Sequence, residues 1–404
     1  MKISLSSQAG GVNQKVLKLR HFIIDLARKA NLRPEKYLRA GHNGPYNDPE
    51  TPARVFGHWL ITFAKCYEWT GEKRFKNRVA ELASYLCSEE VRPYGYSFHH
   101  RNNPKKDRCN GLIGQAWTFE ALAEASALLT DERYAELAEE VFLQHPFDHK
   151  LGLWKCLDID GRILHFDVTF NHQLWFAACG LSIQSKRRGE IVNRITRFLD
   201  CLEDNLTMLE GGLIYHPIEN LLKSDVESKS TFSTWMKEQV RLLLVGMKAH
   251  QRSEREECEK QVREQTEKKF LVKSIGYHCF NLYALAMLKE GLLNHPFWNS
   301  NIVENMVDYV LTKEYLEGIQ SNPFGFPYNP PGFEVPYALS VLKRMPPENI
   351  MKTCSWWVGE QLRRCFNSQT QLMDRNTKDP LTHTARIYEI VRLNDSLLGE
   401  IRGI

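Results

Sequence analysis

The sequence alternates between aromatic-rich and charge-rich helical segments, and this alternation constrains the fold more than any other feature. In the aromatic-rich segments, apolar residues recur at three- and four-residue spacing, which is typical of helices. Each follows a loop rich in Gly, Pro and Asn, and successive segments are 58, 61, 104, 57 and 52 residues apart. The predicted starts lie near Ala53, Gly111, His172, Gly276, Phe333 and Ala385.

A second set of segments lies between the first and carries Lys, Arg and Glu on one face, as helices that face solvent do. Their predicted starts lie near Lys73, Asp131, Glu190, Asn301 and Asn349, and residues 14–30 supply a sixth. A single hairpin cannot bury its apolar face alone, so neighbouring hairpins must stack. Six inner and six outer helices therefore predict an all-α (α/α)6 toroid.

The loops and the longest interval add two details to this fold. An Asp160–Gly161 turn between apolar runs predicts a short β-hairpin in a loop. The longest interval contains a stretch that becomes almost entirely charged, which predicts a charged helical insertion at about 222–270. We expect residues 1–404 to form one domain.

Composition excludes several classes of protein. The net charge is only +4, with 53 basic and 49 acidic residues, so we expect no nucleic-acid partner. No apolar run approaches the roughly 20 residues that a membrane span needs, and the polar N-terminus favours a cytoplasmic location. The ten cysteines include no C-x-x-C pair, and no Gly-rich phosphate loop is present, so we expect free thiols, no metal and no cofactor. The sequence leaves the oligomeric state open.

The loops before the inner helices of such a toroid converge on one mouth, which makes their polar residues candidates for a shared site. These loops combine aromatic and hydrogen-bonding side chains, a mixture that suits sugars and oligosaccharides. The candidates for substrate binding are His42, Asp48, His99, Arg101, Asn110, Gln115, Trp117, Asn171, Trp175, Tyr328, Glu334 and Arg386.

Asp167 is the first candidate for catalysis because it stands just before an inner helix. Its carboxyl group can protonate a leaving oxygen or activate water if an apolar wall, such as Phe166, Phe170 and Trp175, raises its pKa. The alternative is that Asp167 caps the helix through backbone N–H groups. The other catalytic candidates are Asp107, His172, His278 and Tyr277, the last two as a proton-exchanging pair.

The run DVTFNHQLWFA, which begins at Asp167, resembles the helix start of unsaturated glucuronyl hydrolases. The resemblance implies an (α/α)6 toroid in which this Asp is the general acid and base that hydrates a vinyl ether in a uronic sugar. It also implies a second, assisting Asp one hairpin earlier. The sequence has Asn110 at that place, with Asp107 three residues before it.

The runs NGLIGQAWTFEALAEA, HFDVTFNHQLWFAA and DPLTHTARIYE, within about 42–389, are similar to the archaeal glycosylation protein Q family and its bacterial relatives. That resemblance implies a role in surface-glycan assembly and the isomerisation or epimerisation of a hexuronic acid. Three hypotheses follow. The first is cleavage of uronic-acid-containing glycans with Asp167 as acid/base, the second is hexuronate isomerisation or epimerisation, and the third is a non-catalytic glycan-binding toroid.

Overall fold

The computed structural model describes residues 18–221, 252–343 and 345–402, and helices form most of these ranges. Along the chain the helices are α1 (Leu19–Leu32), α2 (Pro34–Tyr37), α3 (Ala53–Thr70), α4 (Lys73–Leu86), α5 (Gly111–Leu129), α6 (Glu132–Gln144), α7 (Phe170–Gly180), α8 (Arg188–Asp200), α9 (Leu202–Asn205), α10 (Arg252–Gly291), α11 (Asn301–Tyr309), α12 (Lys313–Gln320), α13 (Pro331–Leu342), α14 (Pro347–Cys365), α15 (Pro380–Ala385) and α16 (Asp395–Glu400). A 3-10 helix, Arg386–Arg392, continues α15.

The inner helices α3, α5, α7, α10 and α13 pack against one another in chain order, and the 3-10 helix after α15 closes the ring against α3. Most of their residues are buried on all sides. The outer helices α4, α6, α8, α11 and α14 each follow an inner helix, and α1 covers the closing position. The predicted all-α (α/α)6 toroid is therefore confirmed.

The two ends of the described chain join in space. Helix α1 packs on α16, and the backbone N–H of Leu19 donates a 2.9 Å hydrogen bond to the carbonyl of Ile401. Lys18 and Arg402 extend this contact as an isolated antiparallel bridge. The first outer helix thus completes the last hairpin, as a closed ring requires.

A small antiparallel sheet lies between α6 and α7. Its strands are β1 (Phe147–Asp148), β2 (Leu153–Leu157) and β3 (Ile163–Phe166), in the order β1-β2-β3. Gly161 has a φ of 84° in the turn between β2 and β3, which is where the Asp-Gly pair predicts the hairpin. Strand β3 ends one residue before Asp167 and so places this carboxylate at the start of α7.

One predicted boundary is wrong by a wide margin. The fourth inner helix does not start near Gly276, because α10 is a single 40-residue helix from Arg252. The charged stretch before Gly276 is rich in Glu, Lys and Arg, contains no Pro or Gly and therefore continues the helix. The rest of the predicted insertion, residues 222–251, lies outside the described residues. None of the helices in the described ranges has both the length and the apolar character of a membrane span.

Candidate active site

The loops before the inner helices surround a cavity of about 270 Å³ at one end of the ring. The first turns of α3, α5 and α7, one face of α10 and the start of the last 3-10 helix complete its wall. The lining residues are Asn43, Tyr46, Asp48, Arg54, Arg101, Lys106, Asn110, Ile113, Trp117, Thr169, Asn171, His172, His216, Lys273, Tyr277, Phe280, Tyr328, Asn329 and Arg386.

Many of the predicted site residues, far apart in the chain, meet on this wall. They combine two basic side chains, one carboxylate and one imidazole with amide and aromatic groups. These predicted residues are Asp48, Arg101, Asn110, Trp117, Asn171, His172, Tyr277, Tyr328 and Arg386.

His172 and Asp167 form a hydrogen-bonded pair at the start of α7. Nδ1 of His172 lies 2.8 Å from Oδ2 of Asp167. An ionised carboxylate only accepts hydrogen bonds, so Nδ1 carries the proton and Nε2 is the free nitrogen. His172 lines the cavity with 22% of its side chain exposed, and no residue in the described ranges bonds its Nε2. The pair therefore presents an oriented imidazole to the cavity.

Asp167 itself lies behind His172, only 6% exposed. Its oxygens also accept hydrogen bonds from the backbone N–H groups of Leu112, 3.2 Å away, and Thr169, 3.1 Å away. Burial alone would raise the pKa of Asp167, but His172 and the two N–H groups overcome it and lower the pKa below its ordinary value. The expected rise in pKa from an apolar wall is therefore wrong. The predicted alternative, that Asp167 caps α7, is also wrong, because Thr169 is the N-cap residue of α7 and its side chain makes no capping hydrogen bond. Asp167 instead bonds the N–H of that cap residue and, through Leu112, the first turn of α5.

Three buried polar atoms on the wall have no hydrogen-bond partner within the described part of the chain. They are Oδ1 of Asn171, Nδ1 of His216 and Nε of Arg101. Burial, followed by Lys273 and His172, lowers the pKa of His216 well below its ordinary value, so this imidazole is neutral. Unsatisfied buried polar atoms are rare in folded proteins, and these three are placed to bond a ligand.

Asp107 does not reach the cavity. Its Oδ2 accepts a 3.0 Å hydrogen bond from Arg101, and its Oδ1 accepts a 2.8 Å hydrogen bond from the N–H of Gly111 in the first turn of α5. Arg101 also donates to Oδ1 of Asn110. The predicted catalytic Asp107 is therefore an anchor for Arg101 and for the start of α5.

Basic side chains outnumber carboxylates on the wall. The guanidinium of Arg54 pairs with the buried carboxylate of Glu50. Nζ of Lys106 lies 2.5 Å from Oδ2 of Asp48, whose carboxylate lines the cavity. Lys273 forms no ion pair or hydrogen bond with the described residues and lies 4.9 Å from the Tyr46 ring centroid. Burial, with Lys106 and Lys269 adding to it, lowers the pKa of Lys273. Lys273 therefore supplies a positive charge that no described carboxylate neutralises, and this charge suits an anionic ligand.

Arg386 reaches the cavity from a buried cluster. Its guanidinium donates to Glu334 at 2.7 Å and to Glu389 at 2.6 Å. Burial raises the pKa of both carboxyl groups, and in Glu334 the charge of Glu389 raises it further. Glu334 is fully buried behind Arg386 and does not line the cavity, so the predicted binding role of Glu334 becomes the support of Arg386.

Aromatic groups form the remaining wall. The hydroxyl oxygens of Tyr46 and Tyr277 lie 2.9 Å apart, and the Tyr328 hydroxyl donates to Oδ1 of Asn43 at 2.7 Å. Burial raises the pKa of Tyr277 well above its ordinary value, so its hydroxyl keeps its proton. Trp117 lies under the guanidinium of Arg54, 3.9 Å from the ring centroid.

Tyr277 and His278, the predicted proton-exchanging pair, point in different directions from α10. Tyr277 faces the cavity, whereas Nε2 of His278 bonds the carbonyl of Met306 at 2.9 Å and its Nδ1 accepts from the N–H of Ile214 at 3.3 Å. Consecutive residues on a helix point about 100° apart. His278 is therefore a buried structural residue, and its predicted catalytic role is not supported.

Four further predicted residues also lie off the wall. Trp175 stacks on Phe280 behind it, 4.3 Å between ring centroids. Gln115 bonds both backbone groups of Phe98 and holds the neighbouring loop. His42 bonds the carbonyl of Lys378 at 2.6 Å, and His99 bonds the carbonyl of Arg101 at 3.1 Å. These side chains hold neighbouring loops and helices in place, and the sequence pattern does not reveal this structural role.

Some wall residues were not predicted, and one signal in the sequence finds two of them. Lys273 and Phe280 stand four residues before and three residues after the predicted Tyr277, and they therefore share one helix face with it. Arg54 lies in the first turn of an inner helix, where a charged residue among apolar ones is unusual. His216 follows no such pattern, since it lies in a loop that only the tertiary structure brings to the cavity.

Comparisons with known proteins agree with the predicted fold and family. No protein-family model matches the chain. Archaeal glycosylation protein Q from Haloferax volcanii is 44% identical over 363 residues, which are 90% of this chain and 93% of that protein.

Solved structures resemble the chain at much lower identity. An unsaturated glucuronyl hydrolase specific for heparin is 11% identical with a TM-score of 0.57, covering 93% of this chain and 95% of that one. D-mannose isomerase is 12% identical with a TM-score of 0.56, covering 92% and 96%. Cellobiose 2-epimerase from Bacillus thermoamylovorans is 11% identical with a TM-score of 0.56, covering 92% and 99%. At this identity the likeness shows the six-hairpin toroid fold alone.

Proposed function

The chain belongs to the archaeal glycosylation protein Q family, and from this premise we propose that it is an enzyme that isomerises or epimerises an acidic sugar in glycan synthesis. The observation that carries the proposal is the His172–Asp167 pair, with Nε2 of His172 free beside the cavity. A carboxylate in this position orients an imidazole for proton transfer and stabilises the charge that develops on it.

The proposed chemistry moves one proton between carbon atoms and one between oxygen atoms. Nε2 of His172 removes the proton from the carbon next to the carbonyl of the open-chain sugar. The electron pair of that C–H bond forms a C=C bond, and the carbonyl π pair moves to its oxygen, which takes up a proton to give an enediol. In isomerisation the imidazolium exchanges its proton with solvent and then protonates the former carbonyl carbon, while the neighbouring hydroxyl loses its proton and becomes the new carbonyl. In epimerisation a second group delivers a proton to the opposite face of the same carbon.

Two wall residues are placed to assist this transfer. His216 is held neutral by burial, which suits a second base or a hydrogen-bond acceptor. Tyr277 keeps its proton, so its hydroxyl can donate a hydrogen bond to the carbonyl oxygen, where negative charge develops as the enediol forms. Lys273, without an ion-pair partner among the described residues, suits the carboxylate of the sugar.

A second candidate is cleavage of a uronide with Asp167 as the acid/base group. It is favoured by the place of Asp167, directly behind the cavity wall at the start of α7. The lowered pKa of Asp167 weighs against it, because a general acid must hold a proton near neutral pH. We therefore rank proton transfer through His172 above hydrolysis through Asp167.

The experiment is proton NMR in D2O with a panel of saturated and unsaturated uronic acids, their oligosaccharides and the matching neutral hexoses. We expect deuterium to enter the uronates beside the carbonyl carbon, without bond cleavage and without exchange in the neutral sugars. His172→Ala should lower the exchange rate by about 10²–10⁴-fold, and added imidazole should restore part of it.

His149→Ala is the matched control, because His149 is exposed in the turn between β1 and β2. This variant should exchange at the wild-type rate. Exchange that survives His172→Ala unchanged would contradict the proposal. Cleavage of unsaturated uronides without exchange would favour the second candidate, and binding without any turnover would favour a non-catalytic toroid.

A further inference from the structure

Two exposed tyrosines lie on the loop that connects α4 to α5. Tyr94 is 56% exposed and Tyr96 is 42% exposed, and both are among the few large apolar side chains at the surface of the described chain. Exposed aromatic residues that are grouped together are typical of binding surfaces. The cavity does not include either residue. We call this pair of rings the tyrosine platform.

The backbone beneath the platform is braced by one arginine. Nε of Arg92 donates a 2.6 Å hydrogen bond to the carbonyl of Tyr96, and its Nη2 also donates to the carbonyl of Gly95. The same guanidinium pairs with Glu140 at 2.8 Å, which ties the loop to α6. An ordered aromatic side chain loses little conformational entropy when a ligand binds.

The Tyr96 ring is also supported from below by the β2–β3 turn. A Cβ atom at Gly161 would lie 2.7–2.9 Å from three atoms of the Tyr96 ring, so the ring packs directly on this glycine. Ser97 continues the contact by donating a 2.6 Å hydrogen bond to the carbonyl of Leu157. One face of Tyr96 is thus fixed on the hairpin, while the ring keeps a large exposed area.

Two stretches of chain connect the platform to the cavity. The guanidinium of Arg108 lies 5.9 Å from the Tyr94 ring centroid, and the preceding residue, Asp107, holds the cavity-lining Arg101. On the second path, β3 leads from the turn beneath Tyr96 to Asp167. Tyr96 and Arg101 are five residues apart, so at most about 18 Å of chain separates them.

We propose that the tyrosine platform is a second carbohydrate subsite, which binds the neighbouring residues of an oligosaccharide whose terminal sugar occupies the cavity. Flat aromatic faces stack on the C–H surfaces of sugars, and Arg108 supplies donors for hydroxyl or carboxylate oxygens. The substrate is then a glycan chain and not a free monosaccharide. This inference rests on the proposed function only in that the cavity holds a sugar.

The test compares affinities by calorimetry in the His172→Ala background, in which turnover does not interfere. The probes are galacturonic acid against trigalacturonic acid, and glucuronic acid against a hyaluronan tetrasaccharide. We expect at least one oligosaccharide to bind more tightly than its monosaccharide. The double substitution Tyr94→Ala with Tyr96→Ala should reduce that ratio of affinities on the order of tenfold.

Trp356→Ala is the matched control, because Trp356 is an exposed aromatic residue on the outer helix α14. It should leave the ratio unchanged, and thermal unfolding should verify that the double variant is folded. An unchanged ratio in the double variant, or equal affinities of mono- and oligosaccharides for the unsubstituted platform, would overturn the subsite. Because binding is measured without catalysis, a missing deuterium exchange would overturn the proposed reaction and leave this result standing.

Discussion

The neighbours of Asp167 keep this buried carboxylate in its charged form. It accepts hydrogen bonds from His172, Leu112 and Thr169 and is almost inaccessible to solvent. Donors around a carboxylate stabilise its charged form more than burial destabilises it, which explains its lowered pKa. A permanently charged carboxylate is suited to orient His172 and not to donate a proton.

The substitution Asp167→Asn tests this orienting role. Asn keeps an acceptor oxygen for the backbone N–H groups, but it loses the charge that fixes the tautomer of His172. We expect the rate of deuterium exchange to fall on the order of 10²–10⁴-fold, with the fold preserved and without rescue by imidazole. Asp160→Asn, in the exposed β2–β3 turn, is the control. Exchange within twofold of wild type in Asp167→Asn would remove this carboxylate from the mechanism.

At the scale of elements, the starts of α5 and α7 are packed so closely that one position requires glycine. Asn110 and Gly111 have φ angles of 58° and 57°, in the left-handed region. A Cβ atom at Gly111 would lie 2.5 Å from Oδ2 of Asp167 and 3.1 Å from Nδ1 of His172. The first turn of α5 thereby reaches the Asp167 carboxylate through the N–H of Leu112.

Gly111→Ala should separate the two helix starts. The left-handed backbone and the contact with Asp167 together should lower the free energy of unfolding by about 1–3 kcal/mol and slow the exchange reaction as well. The measurement is denaturant unfolding together with the exchange rate. Gly359→Ala in α14 is the control, since nothing lies within 4 Å of its added Cβ. Equal stability of Gly111→Ala and wild type would show that the contact imposes no strain.

At the scale of the whole molecule, the described ranges bury many ionisable groups. Besides the clusters around Arg54 and Arg386, these ranges bury six histidines whose pKa values burial lowers. They are His58, His100, His145, His216, His278 and His383. They stay neutral in the fold but gain protons in the unfolded chain below a pKa of about 6.5.

This burial predicts that acid destabilises the fold. A histidine with a lowered folded pKa contributes stability that is complete above about pH 6.5 and is lost as the pH falls. Each contributes a slope of up to about 1.4 kcal/mol per pH unit below that value. Glu50, Glu334 and Glu389 oppose this, because their raised pKa values favour the fold at lower pH, but they are fewer.

We therefore expect the melting temperature to fall steeply between pH 7 and pH 5 and to vary little between pH 7 and pH 8. Calorimetric scans across this range would measure it. A melting temperature that is constant down to pH 5 would contradict the net destabilisation expected from the buried imidazoles. That residues 1–404 form one domain stays a prediction, and a single cooperative transition in the same scans would support it.

The sequence by itself determined the order of the inner and outer helices of the toroid and their alternation, together with the hairpin before Asp167. These follow from periodicity and turn residues, which are local properties repeated six times. It also assigned half of the charged side chains of the wall and most of the aromatic ones, because loops before inner helices must share one end of a closed ring.

Only the tertiary structure decided which neighbouring side chain faces the cavity and what charge it carries there. Tyr277 reaches the wall and His278 does not, because one helical step of about 100° separates them. Asp167 is ionised because His172, Thr169 and the distant Leu112 donate hydrogen bonds to it. His216 is neutral because the packed ring buries it. Burial and hydrogen bonding are properties of the packed ring, and no local pattern encodes them.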